Sequence, residues 1–183
     1  MLTINVPAFE AWDEEHERFI KTSKDTKLVL EHSLVSISKW EQHWKRAYLS
    51  EKPMTPTEIL DYIKCMTISQ NVDDAVYAGL TSDNIMKIKS YIEDPMSATT
   101  FSSGLTAQQS AKKEVITSEV IYYMMTVNNI PVEFQKWHLN RLLTLLKVCA
   151  VKNSPPKKMS KSDLTKNYAA INRANRAKFH TKG

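Results

Sequence analysis

From Ser33 onward the apolar residues recur at helical spacing. Leu34, Ile37, Trp40, Glu41 and Trp44 fall at i, i+3, i+6, i+7 and i+10, a one-sided stripe that predicts a helix ending near Lys52-Pro53. Thr55-Pro56-Thr57-Glu58 reads as a capping box with proline at the first helical position. The Thr55 hydroxyl can accept from the Glu58 amide while the Glu58 carboxylate reaches back. That helix is expected to run through Met66, with Ile59, Leu60, Ile63 and Met66 on one face. Asn71 or Asp73 can cap a short helix through Leu80. Thr81 or Ser82 caps another, which carries Ile85, Ile88 and Ile92 and stops at Pro95. Residues 96–111 are small and polar and predict a loop around Phe101. Thr117 to Asn128 reads as a helix dense in large side chains, followed by a turn at Asn128-Asn129-Ile130-Pro131. From Pro131 to about Val151 the chain is apolar almost all round, with Phe134, Trp137, Leu142, Leu145, Leu146 and Cys149. This predicts the central, most buried helix.

Ahead of Ser33 the pattern changes. Leu2 to Val6 alternates apolar and polar before Pro7, the signature of a short strand, and residues 26–30 predict a second. Phe9 to Phe19 is acidic and reads as a turn of helix or a loop, with Lys24-Asp25 turning the chain into the second strand. The fold expected is therefore mainly α (α+β). It is a helical domain of about five to seven helices with a small N-terminal β element and a basic C-terminal helix.

A boundary follows Val151. Residues 152–158 (Lys-Asn-Ser-Pro-Pro-Lys-Lys) form a linker that two prolines make semi-rigid. Ser160-Lys161-Ser162-Asp163 is a second capping box, with Asp in the acidic position. It opens a helix with Leu164, Tyr168 and Ile171 at i, i+4 and i+7 beside Arg173, Arg176 and Lys178. The two regions, 1–151 and 152–183, also differ in charge. The net charge of +5 divides into +8 for the tail, with nine Lys/Arg and one Asp, and −3 for the body. A solvated extension is the plainer reading of a basic tail, but such a tail needs neither a cap nor an apolar stripe. Those two features mark Leu164, Tyr168, Ile171, Arg173, Arg176 and Lys178 as a candidate partner-binding set.

The remaining composition narrows the chemistry. With 183 residues, 42% of them hydrophobic, the chain can bury a core without staples. Its three glycines, Gly79, Gly104 and Gly183, lie far apart, which excludes a glycine-rich phosphate loop. None of His16, His32, His43, His138 and His180 stands at metal-ligand spacing from another His or a Cys. His138 is expected to be a core histidine donating to a neighbouring carbonyl. Asp73-Asp74 and Asp13-Glu14-Glu15 are expected to be helix-dipole partners rather than cation ligands. Trp40 and Trp44 are expected to pack in the core or a partner groove rather than stack on nucleic acid. Cys65 and Cys149 read as buried, reduced thiols, which fits a reducing cytoplasm. Neither a signal peptide nor a transmembrane helix is expected, because the most apolar stretch is broken by Asn140, Arg141 and Lys147. The expectation is a binding or assembly protein, not an enzyme, with no cofactor and no metal.

Several segments resemble a known family. They are Leu30-Glu31-His32-Ser33-Leu34-Val35-Ser36-Ile37-Ser38-Lys39-Trp40-Glu41, Asp61-Tyr62-Ile63-Lys64-Cys65-Met66-Thr67, and Trp137-His138-Leu139-Asn140-Arg141-Leu142-Leu143-Thr144-Leu145-Leu146-Lys147-Val148. In the tail, Pro155-Pro156-Lys157-Lys158-Met159-Ser160 and the stretch from Asn172-Arg173 to Arg176 before the terminal Thr-Lys-Gly add to them. Together they resemble the tail assembly chaperones encoded in the tail-gene region of tailed bacteriophages. The first 29 residues match less well.

The resemblance implies a helper protein of the host cytoplasm, absent from the mature virion. It would keep the long helical tape-measure protein soluble and release it as tail-tube subunits polymerise. It carries over no catalytic residues. Two other readings stand beside it: a virion structural protein of the head–tail connector or neck, and a nucleic-acid-binding protein using the basic tail. Nucleic acid is the least favoured partner, a membrane partner is not expected, and self-association into a homo-oligomer is left open.

Overall fold

A computed structural model describes residues 1–14, 17–22, 24–101, 115–154 and 161–180. The fold is mainly α with a small N-terminal β element, and the described residues hold four strands and seven α-helices. The strands are β1 (Leu2–Val6), β2 (Phe9–Asp13), β3 (Arg18–Thr22) and β4 (Thr26–Leu30). The helices are α1 (Leu34–Trp44), α2 (Pro56–Met66), α3 (Ala75–Ala78), α4 (Ser82–Glu93), α5 (Ser118–Val127), α6 (Leu139–Asn153) and α7 (Lys161–Phe179). The chain forms two compact units, Met1–Val151 and Lys152–Gly183.

β1 and β4 pair antiparallel, with Ile4 opposite Leu28 and Leu2 opposite Leu30. Strand alternation turns Ile4, Val6, Leu28 and Leu30 into the core. The other edge of β4 is also occupied. Val29 O accepts from Ile68 N at 2.9 Å, Val29 N donates to Ser69 Oγ at 2.9 Å, and Glu31 N donates to Met66 O at 2.8 Å. The chain stays extended to Ser33, where His32 O accepts from Leu139 N at 2.9 Å and Ser33 bridges His138. Ser33 then caps α1.

α1 buries Leu34, Ser36, Ile37, Trp40 and Glu41, and packs against α2 and α5. It ends at Trp44, short of the expected Lys52, because Lys45 adopts the left-handed conformation (φ 52°, ψ 35°) and its N–H returns to Glu41 O. The Glu41 carboxylate accepts from Tyr48 N at 2.8 Å and Ser118 N at 2.7 Å, tying the turn after α1 to the first residue of α5. The Thr55–Glu58 capping box is formed. Glu58 also pairs with Arg46 at 2.7 Å, and its backbone carbonyl accepts from the Trp40 indole at 3.0 Å. Thr81 and Thr117 cap α4 and α5. Asn84 Nδ2 donates to Asn5 O at 3.1 Å, fixing α4 on β1, and Asn140 Nδ2 closes the far end of α4 on Ile92 O and Asp94 O.

Four further expectations are corrected. Residues 9–13 and 18–22 are neither helix nor loop but an antiparallel hairpin, with Trp12 opposite Phe19 and Glu10 opposite Lys21. Phe9 seats the hairpin at Gly79, where any Cβ would overlap the Phe9 ring. The helix expected from Pro131 begins only at Leu139, after a 3-10 turn at Val132–Lys136 and an extended Trp137. It is also not the most buried helix. α6 sequesters Leu139, Leu142 and Leu146, whereas α1 sequesters five residues. On α2 the expected Ile63 and Met66 are buried, but Tyr62 joins them and Ile59 is 43% exposed; on α4 the expected Ile88 is buried beside Tyr91, while Ile85 faces outward. The expected box at Ser160 and most of the linker lie outside the described residues.

Burial sets the cost of truncation. Leu142→Ala should lower the unfolding free energy by about 2–5 kcal/mol through a cavity beneath α6. Ile59→Ala, on the exposed face of α2, should cost less than about 1 kcal/mol. Urea unfolding of both variants checks the pair, and equal losses would contradict the assignment of faces.

Candidate functional site

α7 is built from residues that favour helix. Its 19 residues contain no Gly or Pro and include Ala169, Ala170, Ala174 and Ala177. Arg176 and Lys178 sit in the last turn, where cations offset the helix dipole, and His180 leaves the helix with φ 52°. At about 100° per residue, Leu164, Tyr168, Ile171 and Phe179 share an arc of about 80°. All four are exposed: Leu164 37%, Tyr168 63%, Ile171 51% and Phe179 64%. Asn175 lies within the arc and Lys178 at its edge, with the ammonium 5.5 Å from the Phe179 ring centroid. Arg176 falls about 120° and Arg173 about 180° from Leu164, so the guanidiniums flank and back the stripe rather than lie in it. Phe179 was missed by the spacing argument because Asn175 interrupts the run after Ile171. Its position two turns beyond Ile171 is the signal that would have found it.

The other residues singled out are structural. The His138 Nε2 sits 2.8 Å from Tyr91 O, as expected of a core histidine. Trp40 is fully buried, and the Trp44 indole donates to Asp61 at 2.8 Å. Asp73 accepts from Ala75 N at 2.9 Å, and Asp74 pairs with Lys64 at 3.1 Å. Cys65 and Cys149 are free thiols, but half-buried rather than buried. Desolvation, with Asp61 beside it, pushes the Cys65 thiol up to about 11. Among the described residues no three His, Cys, Asp or Glu side chains gather as a metal-ligand set, and no helix is long and apolar enough to cross a membrane.

One cluster in the body was not foreseen. The His32 Nδ1 lies 2.5 Å from the Tyr62 hydroxyl, and the Tyr62 ring packs 4.3 Å from that of Tyr48. The His138 ring stands 4.9 Å from those of both His32 and Tyr91. A carbonyl only accepts, so neutral His138 donates Nε2–H to Tyr91 O, which leaves Nδ1 as a buried lone pair with no partner. Burial lowers His32 to about 3, with His138 adding to the effect, and lowers His138 despite the opposing Tyr91 carbonyl. Burial raises Tyr48 to about 12 and Tyr62 well above its usual value. Every shift moves its group away from pH 7, opposite to the tuning of a general acid or base.

No family model, curated protein or solved structure matches the chain.

The histidine shifts give a pH dependence of stability. Each folded-state value lies below the unfolded 6.5, so between them the unfolded chain binds more protons than the native one. The stabilisation is complete above about pH 6.5 and drains away as pH falls toward the folded values. The slope is at most about 1.4 kcal/mol per pH unit for each histidine. Urea unfolding between pH 7 and 5, above the main carboxylate range, should show this slope, and His32→Gln should flatten it. A variant with the wild-type slope would exclude His32 as its source.

Proposed function

We propose that this protein is a tail assembly chaperone of a tailed bacteriophage. It binds the tape-measure protein in the host cytoplasm, assists tail-tube assembly around it, and is left out of the finished particle. The observation that carries this reading is the exposed stripe of Leu164, Tyr168, Ile171 and Phe179 on a helix that also holds Arg173, Arg176 and Lys178. A helix leaving large apolar side chains in water gains roughly 25 cal/mol per Å² when a partner covers them. The flanking cations favour an acidic partner and keep the helix soluble meanwhile. Helix-in-groove or helix-on-helix recognition uses this spacing of anchors. The segments resembling tail assembly chaperones supply the class of client, a long helical protein.

The two kinds of contact respond differently to salt. Co-purification with a co-expressed tape-measure protein should survive high salt for the intact chain. Tyr168→Ala should weaken it about 5- to 30-fold at any ionic strength, because burial of an aromatic anchor is not screened. Arg173→Ala and Arg176→Ala should weaken it mainly at low salt. Deletion of residues 152–183 should leave the thermal transition of the body in place and abolish capture. A truncated chain that captures the client equally well would overturn the proposal. Mass spectrometry of purified particles should lack the protein, and stoichiometric copies there would instead identify a connector or neck component. Binding to DNA that falls steeply with salt, with no capture of the client, would mark a nucleic-acid-binding tail.

A further inference from the structure

The stripe on α7 has a second regularity. Leu164, Tyr168, Ile171, Asn175 and Lys178 follow one another at steps of four, three, four and three. That is the a/d spacing of a heptad, with Tyr168 and Asn175 at a and Leu164 and Ile171 at d. The seam is exposed along its length, Asn175 included. Its flanks, the e and g positions, are Thr165, Asn167, Asn172 and Ala174, none of which carries a charge. Lys166 and Arg173 fall at f and Arg176 at b, on the back and outer side of the helix. Lys178 closes the seam at its C-terminal end, where its ammonium lies 5.5 Å from the Phe179 ring centroid and can reach water.

This placement of charge admits a second copy of the same helix. A second copy brings the same cations, so pairing survives only if they stay off the seam and its flanks. Helix axes pack about 8–10 Å apart, so the f-position cations on the far sides of two paired helices stand roughly 20 Å from each other. That is about two Debye lengths at 0.1 M salt, and their repulsion is largely screened. Asn175 favours the same occupant. Against an apolar groove its amide would be buried without a partner. In a parallel pair it meets Asn175 of the second copy, and each amide can donate to the other. An antiparallel pair centred on Tyr168 and Ile171 would set it against Leu164 instead.

We propose that α7 pairs in parallel with α7 of a second copy through Leu164, Tyr168, Ile171 and Asn175, and so covers its own stripe until a client displaces it. The pairing is independent of the chaperone reading; only the displacement by a tape-measure protein rests on that reading. Three apolar layers and one amide layer are fewer than a stable two-stranded coil uses. The dimer is therefore weak, forming between about 10 and 500 µM chain, and it yields to a client that offers a longer apolar face.

Sedimentation velocity of the full chain, with no client present, reads the pairing. Between about 10 and 500 µM the chain should pass from monomer to dimer, and a tenfold rise in salt should change the dissociation constant by less than about threefold. Ile171→Asp should return the chain to monomer over that range, with the melting transition of the body unchanged. Asn175→Leu should tighten association about tenfold or more, because the amide layer fixes register and number at a cost in stability. On a C65S, C149S background, N175C should cross-link between copies on mild oxidation, whereas A170C, on the far side of the helix, should not. A chain still monomeric at about 500 µM would overturn the proposal. So would a dimer that survives Ile171→Asp, one that Asn175→Leu fails to strengthen, or cross-linking at position 170 as fast as at 175. A dimer that passes these tests yet captures no tape-measure protein would uphold the pairing and overturn the chaperone reading alone.

Discussion

A strand buried in a protein core presents polar groups along both edges, and each needs a partner. β4 and its extension to Ser33 place this demand at the centre of the body, with Leu28, Leu30, His32 and Ser33 all sequestered from water. β1 serves one edge, and residues 66–69 serve the other. Past the end of the sheet, Met66 and Leu139 satisfy Glu31 and His32. One extended run thereby fixes the N-terminal strand, the end of α2 and the start of α6 against each other. It also dictates where helices cannot be. Thr67 ends α2 in an extended conformation, and Trp137 is extended ahead of α6. A continuous helix from Pro131 would leave His32 O without its donor.

This explains which features could be read along the chain and which could not. The caps at Thr55, Thr81 and Thr117 are bonds between residues three apart, so local sequence contains both partners. Strands β1 and β4 were visible through their alternation. The hairpin at Phe9–Thr22 was not, because the charged Glu10 and Lys21 within it hide the period of two, and its placement rests on a distant contact at Gly79. The break before α6 was invisible for the same reason, since its cause lies at His32 and Ser33. Choosing Ile59 over Tyr62 as a core position followed hydrophobicity. Tyr62 is chosen in the fold because His32 and Tyr48 supply partners for its hydroxyl, which makes an aromatic with a polar tip fully buriable. On α7 the stripe was legible because it depends on spacing alone.

Polar groups in the core therefore act as connectors rather than defects. Glu41 joins two backbone N–H groups from separate elements, and Glu58 combines its cap with the Arg46 pair. His32 and His138 stay neutral, and the space between them is closed by rings rather than by charge. Neutrality follows from the hub. The histidines lie along the seam between Ser33 and His138, His32 buried and His138 half-buried, and among the described residues no carboxylate lies within ion-pair distance of either. Burial penalises a proton on either ring, and at His138 that penalty outweighs the pull of the Tyr91 carbonyl and of Asp94, so the native state gives the proton up.

α7 works under different physics. A helix of 19 residues is about 28 Å long and only marginally stable without a packed partner. Its alanines and cations favour helix locally, but its large apolar residues gain little while exposed. Docking would therefore stabilise the helix and bury the stripe in one step. The anchors are spaced along a single seam and are chemically plain: leucine, tyrosine, isoleucine and phenylalanine, with cations around them. Such a surface reads amphipathicity and negative charge rather than a particular sequence. That is a weak basis for recognising one short motif, but it suits a client that repeats the same helical pattern over a great length. On such a client each copy needs only modest affinity, because many copies can line up on it and cover its apolar face together. Modest individual affinity also allows each copy to leave when a polymerising tube competes for the same face. A tighter, sequence-specific contact would resist that displacement, so the plainness of the stripe is what the proposed role requires.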